Sequence, residues 1–560
     1  MGRHAADTPP DRPRWLIPVL AIVVALGGSG AWWAISRVTG GSGSSASPSS
    51  GPVAPSAAAT PCTTPVAVPV AVAGPLVTAV QKAADAAKAA GACATYTVSA
   101  AAPAGTAAEI AAGKGPAVWV PDSSIWLTDV TSKAPSVKLA VGPSVAFSPL
   151  VLVLPSPLGL TVKTAPAWNQ LVSFAVPIQF ADPTVSAGSR LGLRSAYAAL
   201  GASPQTRVDL GAAMIRLSRT KVASDEALFA NAVVPTPNPA AFLAEEAVVA
   251  AHNRTHPDTP LAVTIPRDGT TAFDHPFVTV GTPSEPVKAA VEALQAALLS
   301  DAGKATVAAG GFRSGPTDGT AGVGTIVGGA GGVPTYLADP STEATVALQR
   351  SWAAVSTEMR MIAVVDSSGS MKQPVGATTR MDLAHQAGLV ALSAFPQGSV
   401  IGLWRFGYHL KPPTQDWEEL VPQRPLTESV GDKDQRTLLA EGFAKLAADP
   451  RGSTGLFDTV LAAYETAKAG YDSTRVNSVV LLTDGKNEDP GSITIDDLLA
   501  KLTAAKDPAR PIVVITVAIG PDADADTLKR ITTVTGGRSY TATAPEQITG
   551  VFVDALLNRS

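Results

Sequence analysis

Short runs of hydrophobic residues recur along the C-terminal part of the chain, and stretches with helical spacing separate them. The runs are MIAVV (361–365), VIGLW (400–404), VVLL (479–482) and IVVITVAI (512–519). Runs that are apolar throughout, without alternation, are typical of strands buried on both faces. The spacing between the runs predicts helices, so the sequence predicts an α/β fold with a central parallel sheet flanked by helices over residues 358–560, here called the C-terminal domain.

The middle of the chain, residues 62–345, shows the same alternation and is here called the middle domain. VPVAVA (68–73) predicts a strand that runs into a helical pattern, and TYTVSA (95–100) and PAVWVPDSS (116–124) predict two further strands. A Gly-rich stretch at 315–334 predicts the joint between the domains. Residues 346–357 have helical spacing and predict a connecting helix.

One uncharged stretch near the N-terminus predicts a membrane segment. Residues 15–35 contain no charged side chain, and a helix of this length reaches across a bilayer core. Arg3, Arg12 and Arg14 precede it, so the positive-inside rule places residues 1–14 in the cytoplasm and the bulk of the chain outside. The expected location is therefore the cell membrane, with a single span.

A cleavable signal peptide is the alternative for this segment, with cleavage near Ala31. Trp32 and Trp33 at its exit favour a retained anchor, because aromatic side chains prefer the membrane interface. Residues 36–61 are rich in Gly, Ser, Pro and Ala, which predicts a flexible linker between the membrane and the globular part.

Composition and charge exclude several classes of function. Lys and Arg total 42 against 46 Asp and Glu, the formal net charge is -4, and 46% of the residues are hydrophobic. The electrostatic footprint of a nucleic-acid-binding protein and the low hydrophobicity of a disordered chain are both missing, so we expect no nucleic-acid partner. The abundance of Ala, Gly and Pro, with few Lys, is typical of GC-rich bacteria such as actinobacteria.

The chain has two cysteines and six histidines, too few soft ligands for a zinc cluster or an iron-sulfur centre. A metal ion would therefore be held by oxygen. Export places Cys62 and Cys93 in an oxidising compartment, where each is the other's only partner within the chain, and we predict a disulfide between them.

Hard oxygen donors follow the predicted strands of the C-terminal domain. Asp366, Ser368 and Ser370 come directly after the first strand, Thr454 lies in a Gly-rich loop before a helix, and Asp484 follows a later strand. Ligands gather at the carboxyl ends of parallel strands, and this donor set suits Mg²⁺ or Mn²⁺. With few anionic ligands, such an ion keeps enough charge to accept a carboxylate from a protein partner. Taken singly, each motif is also an ordinary turn or helix cap.

These three loops resemble the metal-ion-dependent adhesion site (MIDAS) of the von Willebrand factor type A (VWA) domain. The family pattern is DxSxS, then a Thr in a later loop, then an Asp at a strand end. The resemblance implies a Rossmann-like fold for residues 358–560. It also implies that the two serines and Thr454 bind the cation directly, while Asp366 and Asp484 act mainly through water.

Phrases of the middle domain resemble two-lobed periplasmic solute-binding proteins of type 2. The phrases are WVPDSSIW (119–126), ADPTVSAGSRLGL (181–193) and DAGKATVAAGGFR (301–313). The resemblance implies a ligand between the lobes, and free N–H groups at helix N-termini there favour an anion. The candidate ligand contacts are Asp122, Ser123, Ser124, Asp182, Thr184 and Ser186.

Structural roles compete with ligand contact at several of these positions. Ser123 and Thr184 are equally well explained as helix caps. Trp119 and Trp126 fit the core or the wall of the cleft better than a stacking platform for a ligand.

The sequence contains no GxSxG elbow, phosphate-binding loop or HExxH helix, so we expect a binding protein and not an enzyme. The expected function is cation-dependent binding of a protein partner by the C-terminal domain, while the middle domain recognises a small solute or serves as a scaffold. One alternative is a solute receptor of a transport or sensing system. A hydrolase that uses Asp122 and Ser123 is a further alternative, but no base is placed to activate the serine.

Overall fold

The structure is a computed structural model. It describes residues 62–544 apart from 157, 159–163, 320–332, 412–413, 449–451 and 522, together with residues 547 and 551. The predicted cytoplasmic segment 1–14, the predicted membrane segment 15–35 and the predicted linker 36–61 lie outside the described residues, as does most of the Gly-rich stretch at 315–334.

Among the residues that the structure describes, no helix combines the length and the apolar character needed to cross a bilayer. This finding contradicts the single-pass membrane location predicted from residues 15–35, and that prediction is withdrawn.

The first lobe of the middle domain is built on a mixed sheet. Strands and helices are numbered along the chain, and the strands of this sheet are β1 (Val66–Val72), β2 (Ala94–Ala100), β3 (Val118–Val120), β4 (Leu139–Ser144) and β9 (Pro276–Val280). They lie in the order β2-β1-β3-β9-β4, with β1 parallel to β2 and β3, and β9 antiparallel to both of its neighbours. The structure joins Cys62 to Cys93 by a disulfide just before β1 and β2 begin.

The second lobe is built around one central strand. Its strands are β5 (Ser148–Leu154), β6 (Phe242–Glu245), β7 (Ala262–Thr264) and β8 (Ala272–Phe273). Strand β5 is fully buried and pairs antiparallel with the other three. The chain leaves the first lobe after β4 and returns to it in β9, so two connections join the lobes.

Helices cover both sheets of the middle domain. Those of the first lobe are α1 (Val77–Ala89), α2 (Pro103–Ala111), α3 (Leu127–Lys133), α9 (Glu285–Leu299) and α10 (Asp301–Ala309). Those of the second lobe are α4 (Trp168–Val172), α5 (Ala187–Leu200), α6 (Pro204–Thr220), α7 (Asp225–Ala232) and α8 (Glu246–Thr255). Helix α1 shows why such segments are helical, since its buried side chains recur every three or four residues and form one face.

A helix leads from the middle domain into the C-terminal domain. Helix α11 (Thr342–Ser356) begins four residues before the predicted connecting helix, because Ser341 caps its N-terminus by accepting a hydrogen bond from the Ala344 N–H. Trp352 is buried, and its indole Nε1 donates a hydrogen bond of 3.1 Å to Asp182 of the middle domain. The helix is therefore fixed to the second lobe as well as to the strand that follows it.

The C-terminal domain has a six-stranded sheet with one antiparallel edge. Its strands are β10 (Met359–Asp366), β13 (Val400–Lys411), β14 (Gln415–Pro425), β17 (Val476–Thr483), β18 (Ile512–Ile519) and β19 (Ser539–Ala542). The order is β14-β13-β10-β17-β18-β19, and all neighbours are parallel except β13 and β14. Two short hairpins lie outside the sheet: β11 (Pro374–Val375) with β12 (Thr378–Thr379), and β15 (Ser429–Val430) with β16 (Lys433–Asp434).

Helices pack on both faces of this sheet. They are α12 (Arg380–Ala394), α13 (Gln435–Ala448), α14 (Leu456–Ala469), α15 (Ile495–Ala505) and α16 (Ala525–Thr535). In β10, Met361 and Ala363 belong to the core that includes α12 and α13, whereas Ile362 and Val364 belong to the core under α14, α15 and α16. Both faces of β10 are thus buried, which explains its uninterrupted apolar run and confirms the predicted α/β fold with a sheet of mainly parallel strands.

Candidate functional site

Strands β10 and β17 are parallel neighbours that end at the same edge of the sheet, which brings two predicted carboxylates to that edge. Strand β10 ends at Asp366, and Asp484 directly follows β17. The Thr483 hydroxyl donates a hydrogen bond of 2.6 Å to Asp366 Oδ2 and connects the two strand ends.

The Asp366–Ser370 loop turns its polar groups towards one another. The Ser368 backbone N–H donates to Asp366 Oδ1 over 2.8 Å, and the hydroxyl oxygens of Ser368 and Ser370 lie 2.9 Å apart. A short 3-10 helix, Gly369–Lys372, follows, but the Ser368 side chain makes no capping hydrogen bond to it. The Ser368 side chain therefore does not act as a helix cap, which was the structural alternative to metal binding at this residue.

The loop that carries Thr454 lies between the other two loops. The Gly369 N–H donates to the carbonyl of Gly452 over 2.7 Å, and the Glu488 N–H donates to the carbonyl of Thr454 over 2.8 Å. Thr454 is fully buried, and its hydroxyl has no hydrogen-bond partner in the described part of the chain. A buried hydroxyl without a partner costs about 1–3 kcal/mol, and a cation that bound this oxygen would offset that cost.

Burial determines the electrostatics of the first carboxylate. Asp366 is fully buried, and burial raises its pKa to about 6 despite hydrogen bonds from Ser368 and Thr483 that favour the charged form. The nearby carboxylate of Asp484 raises it further. Hydrogen bonds from neutral donors alone do not offset the cost of burying a negative charge at Asp366.

Arg380 is part of this site, although no motif in the sequence points to it. Its Nη1 donates to Asp484 Oδ2 over 2.7 Å, and both side chains are almost fully buried. Arg380 is the first residue of α12 and lies 104 positions from its partner along the chain. No local spacing connects the two residues, so only the fold brings them together.

The donors at this edge fit a hard divalent cation. Carboxylate and hydroxyl oxygens are the ligands that Mg²⁺ and Mn²⁺ prefer. The Thr454 hydroxyl has no partner among the described residues, and the hydroxyl oxygens of Ser368 and Ser370 lie 2.9 Å apart. Asp366 and Asp484 supply the negative charge. The site can thus hold a cation through oxygen atoms from three loops.

A second candidate metal site lies at the same end of the domain. His409 at the end of β13, Asp416 in β14 and Asp489 after β17 each offer a ligand atom, and these atoms all lie within 4.8 Å of one another. Asp416 is buried, and its Oδ1 accepts a hydrogen bond of 2.7 Å from the His409 backbone N–H. Burial raises the pKa of Asp416, and the neighbouring Asp489 raises it as well. No pattern in the sequence points to this cluster, because the mixed polar and apolar sequence of β14 does not predict a strand.

The middle domain has a cavity of about 600 Å³ between its two lobes. The first lobe contributes the ends of β1 and β2 and the Asp122 side chain, which follows β3. The second lobe contributes α7 and β6. Asp122 lines the cavity as predicted, and its Oδ1 accepts a hydrogen bond of 2.7 Å from the indole of Trp126.

The other predicted solute contacts do not line this cavity, and the structure gives each of them a structural role. The Ser123 hydroxyl caps the 3-10 helix Ser124–Trp126, and the Ser124 backbone N–H donates to Asp274. Asp182 accepts hydrogen bonds from Thr184, Lys221 and Trp352, and Ser186 caps α5. Turns, caps and ion pairs thus engage Ser123, Ser124, Asp182, Thr184 and Ser186 in the structure, and their contact with a ligand stays a prediction.

The two tryptophans considered as stacking platforms belong to the core. Trp119 is 1% exposed and Trp126 is 0% exposed. The Arg190 guanidinium lies 4.7 Å from the centroid of the Trp126 ring, and Arg190 also pairs with Asp129 at 2.9 Å. These tryptophans shape the wall behind Asp122 and present no free face to a solute.

Comparison with known proteins assigns the two domains separately. Residues 68–313 match the family described as bacterial extracellular solute-binding protein, and residues 361–553 match the von Willebrand factor type A domain. Two proteins of Mycobacterium tuberculosis, from strains CDC 1551 / Oshkosh and H37Rv and both described as uncharacterized, are 25% identical over 486 residues, which is 79% of this chain and 68% of theirs.

Solved structures resemble one domain or the other. A von Willebrand factor type A protein from Catenulispora acidiphila is 19% identical, with 36% of this chain and 43% of that chain covered and a TM-score of 0.28. The sulfate-binding protein SubI from Mycobacterium tuberculosis H37Rv is 17% identical, with 44% and 87% covered and a TM-score of 0.35. The two family matches show that the chain combines an extracellular solute-binding domain with a von Willebrand factor type A domain, and the two Mycobacterium relatives are actinobacterial.

Proposed function

We propose that this protein is an extracytoplasmic binding protein whose C-terminal domain holds Mg²⁺ or Mn²⁺ and thereby binds an acidic side chain of a protein partner. The proposed ligands are Asp366, Ser368, Ser370, Thr454 and Asp484. The observation that carries the proposal is the buried hydroxyl of Thr454, which has no partner among the described residues although its loop is bonded to both neighbouring loops.

Each residue has a distinct task in this proposal. Ser368, Ser370 and Thr454 supply neutral oxygens, which hold a cation without cancelling its charge. Asp366 and Asp484 supply negative charge, and Arg380 neutralises part of it. A bound divalent ion would supply an electrophilic position that accepts a carboxylate oxygen of the partner.

Mg²⁺ and Mn²⁺ binding is tested by calorimetric titration of the full chain, with the Ser368→Ala/Ser370→Ala double variant beside the natural protein. We expect saturable binding by the natural protein and its loss in the variant. Ser478→Ala is the matched control, because Ser478 in β17 is also a buried hydroxyl without a hydrogen-bond partner among the described residues. Absence of binding at millimolar Mg²⁺ and Mn²⁺ by the folded natural protein would contradict the proposal.

Partner binding requires its own experiment. Proteins that the immobilised full chain retains in Mg²⁺, and releases in EDTA, are the expected partners, and the double variant should retain none of them. Replacing the contacting Asp or Glu of a partner by its amide should abolish retention. Retention that persists equally in EDTA would contradict a cation-mediated contact.

We propose binding and not catalysis for the middle domain as well. The Ser123 hydroxyl, the nucleophile of the hydrolase alternative, is occupied as a helix cap and does not line the cavity. A solute receptor of a transport or sensing system is the second candidate function, and the cavity of about 600 Å³ between the lobes favours it, because this volume is typical of small-ligand sites.

A further inference from the structure

The ionisable side chains that line the cavity of the middle domain are all acidic. Its described lining includes the carboxylates of Asp122, Asp225, Glu226 and Glu245, and it includes no Lys, Arg or His side chain. These acids come from both lobes and from three separate segments of the chain, so they are not the solvated face of a single helix.

Two of these carboxylates have only neutral hydrogen-bond donors in the described part of the chain. Asp122 accepts from the Trp126 indole, and Asp225 accepts from the Ser186 hydroxyl over 2.5 Å. Glu245 differs, since His275 Nε2 lies 2.7 Å from its Oε1. Burial raises the pKa of Asp122 to about 7 and that of Asp225 to about 6. The buried His275 opposes the shift of Asp122 without reversing it, and both shifts have the direction expected for acids whose burial no direct ion pair offsets.

Aromatic rings line the same cavity. Phe229, Phe242 and Phe273 contribute to its wall, and the rings of Phe229 and Phe242 meet edge to face with centroids 5.1 Å apart. Aromatic faces attract cations as well as apolar groups. A cavity of about 600 Å³ is also far larger than a single metal ion requires, and it lies within the range of small organic ligands.

The partial positive charges of helix N-termini do not reverse the acidic character of the cavity lining. Helix α2 begins beside the cavity without a side-chain cap, and it offers about half a positive charge. Helix α7 also begins there, but its first turn already contains Asp225 and Glu226. Helices α5 and α8 also begin beside the cavity, and the buried His275 offsets part of the charge of Glu245 and Asp122. Asp225 and Glu226 have no basic neighbour in the described lining, which disfavours the anion that the resemblance to solute-binding proteins suggested.

We infer that this cavity binds a small organic cation, an ammonium compound with apolar surface, whose charge pairs with Asp122 and Asp225 while Phe229 and Phe242 contact its apolar part. The inference rests on the solute-binding part of the proposed function and specifies its ligand class. It is independent of the metal site in the C-terminal domain.

Calorimetric titration of the full chain tests this inference with stated probes. Benzyltrimethylammonium and spermidine represent organic cations, benzyl alcohol is a neutral aromatic probe, and sulfate is the anionic probe. We expect saturable binding of at least one cation and no saturable binding of the other two. Binding of sulfate or benzyl alcohol without binding of either cation would overturn the inference, and so would binding of no probe at all.

Asp122→Asn and Asp225→Asn identify the carboxylates. Each should weaken binding of the cation at least tenfold, and neither should lower the melting temperature, because each change removes an under-compensated buried charge. Asp209→Asn is the control, since Asp209 is an exposed carboxylate of α6 in the same lobe. Unchanged affinity in both cavity variants would overturn the inference. Calorimetric titration of the same samples with Mg²⁺ reports separately on the metal site.

Discussion

Thr454→Val is the most direct test of the metal site, because it removes one hydroxyl and keeps the shape of the side chain. In EDTA the natural protein buries this hydroxyl without a hydrogen-bond partner among the described residues, at a cost of about 1–3 kcal/mol. The variant is therefore expected to be more stable than the natural protein in EDTA, by about 1 kcal/mol at the lower end of that range.

The order of stabilities should reverse in Mg²⁺. At a concentration of 100 times the dissociation constant, a ligand stabilises the folded protein by about 2.7 kcal/mol. The natural protein should gain this amount, whereas the variant lacks one of the proposed ligands and should gain little. Urea unfolding in EDTA and in saturating Mg²⁺ measures both differences.

A variant that loses the same stability in EDTA and in Mg²⁺ would show that the Thr454 hydroxyl serves packing or an internal hydrogen bond, and would refute the reasoning. An unchanged Mg²⁺ response in a folded variant would refute it as well. Thr459→Val is the control, because Thr459 is equally buried but its hydroxyl donates to the Gly455 carbonyl over 2.6 Å. That variant should be destabilised by about 1 kcal/mol under both conditions.

Three further predictions follow from individual contacts. Arg380→Gln should lower the free energy of unfolding in EDTA by about 3–5 kcal/mol, measured in urea, since it leaves Asp484 buried without its ion-pair partner. The same variant should bind Mg²⁺ about tenfold more tightly in calorimetry, because it removes a positive charge beside the site. Affinity for the cation probe should increase as pH rises through about 6 and 7, when Asp225 and Asp122 ionise; Glu226 and Glu245 oppose this ionisation and His275 favours it, and pH-independent affinity would contradict the prediction. Because both pKa values are raised, the ligand-free protein should lose stability as pH rises from about 4, where an ordinary Asp ionises, to about 7. Cys62→Ala with Cys93→Ala should cost about 3–4 kcal/mol in urea unfolding, as expected for a disulfide that closes a loop with a sequence separation of 31.

The parallel core of the C-terminal domain could be predicted from the sequence because its strands are buried on both faces. Strands β10, β17 and β18 each contain at least four consecutive apolar residues. Strand β14 could not be found in this way. It lies at the edge of the sheet, and its sequence QDWEELVPQRP mixes charged and apolar residues because it is only partly buried.

Metal-site candidates could be named from the sequence because each of their loops directly follows a strand or precedes a helix. Of the residues named in this way for the solute cavity, only Asp122 lines it. The phrase ADPTVS supplies polar residues at a helix start, but Asp182 is satisfied by Thr184, Lys221 and Trp352. Lys221 and Trp352 lie 39 and 170 positions away along the chain, so only the folded structure shows that this carboxylate is already engaged.

Arg380 changes what the five oxygen donors of the metal site can do. Asp366 and Asp484 together carry two negative charges when ionised, and a divalent ion alone would leave the site neutral. With the Arg380 guanidinium 2.7 Å from Asp484, the same ion leaves one net positive charge at the edge of the sheet. The arginine therefore weakens attraction for the metal ion and strengthens attraction for the carboxylate of a partner. The five oxygen donors alone do not show how strongly the site attracts a metal ion and how strongly it attracts a partner carboxylate. Arg380, which changes both attractions, lies outside the motif of these donors.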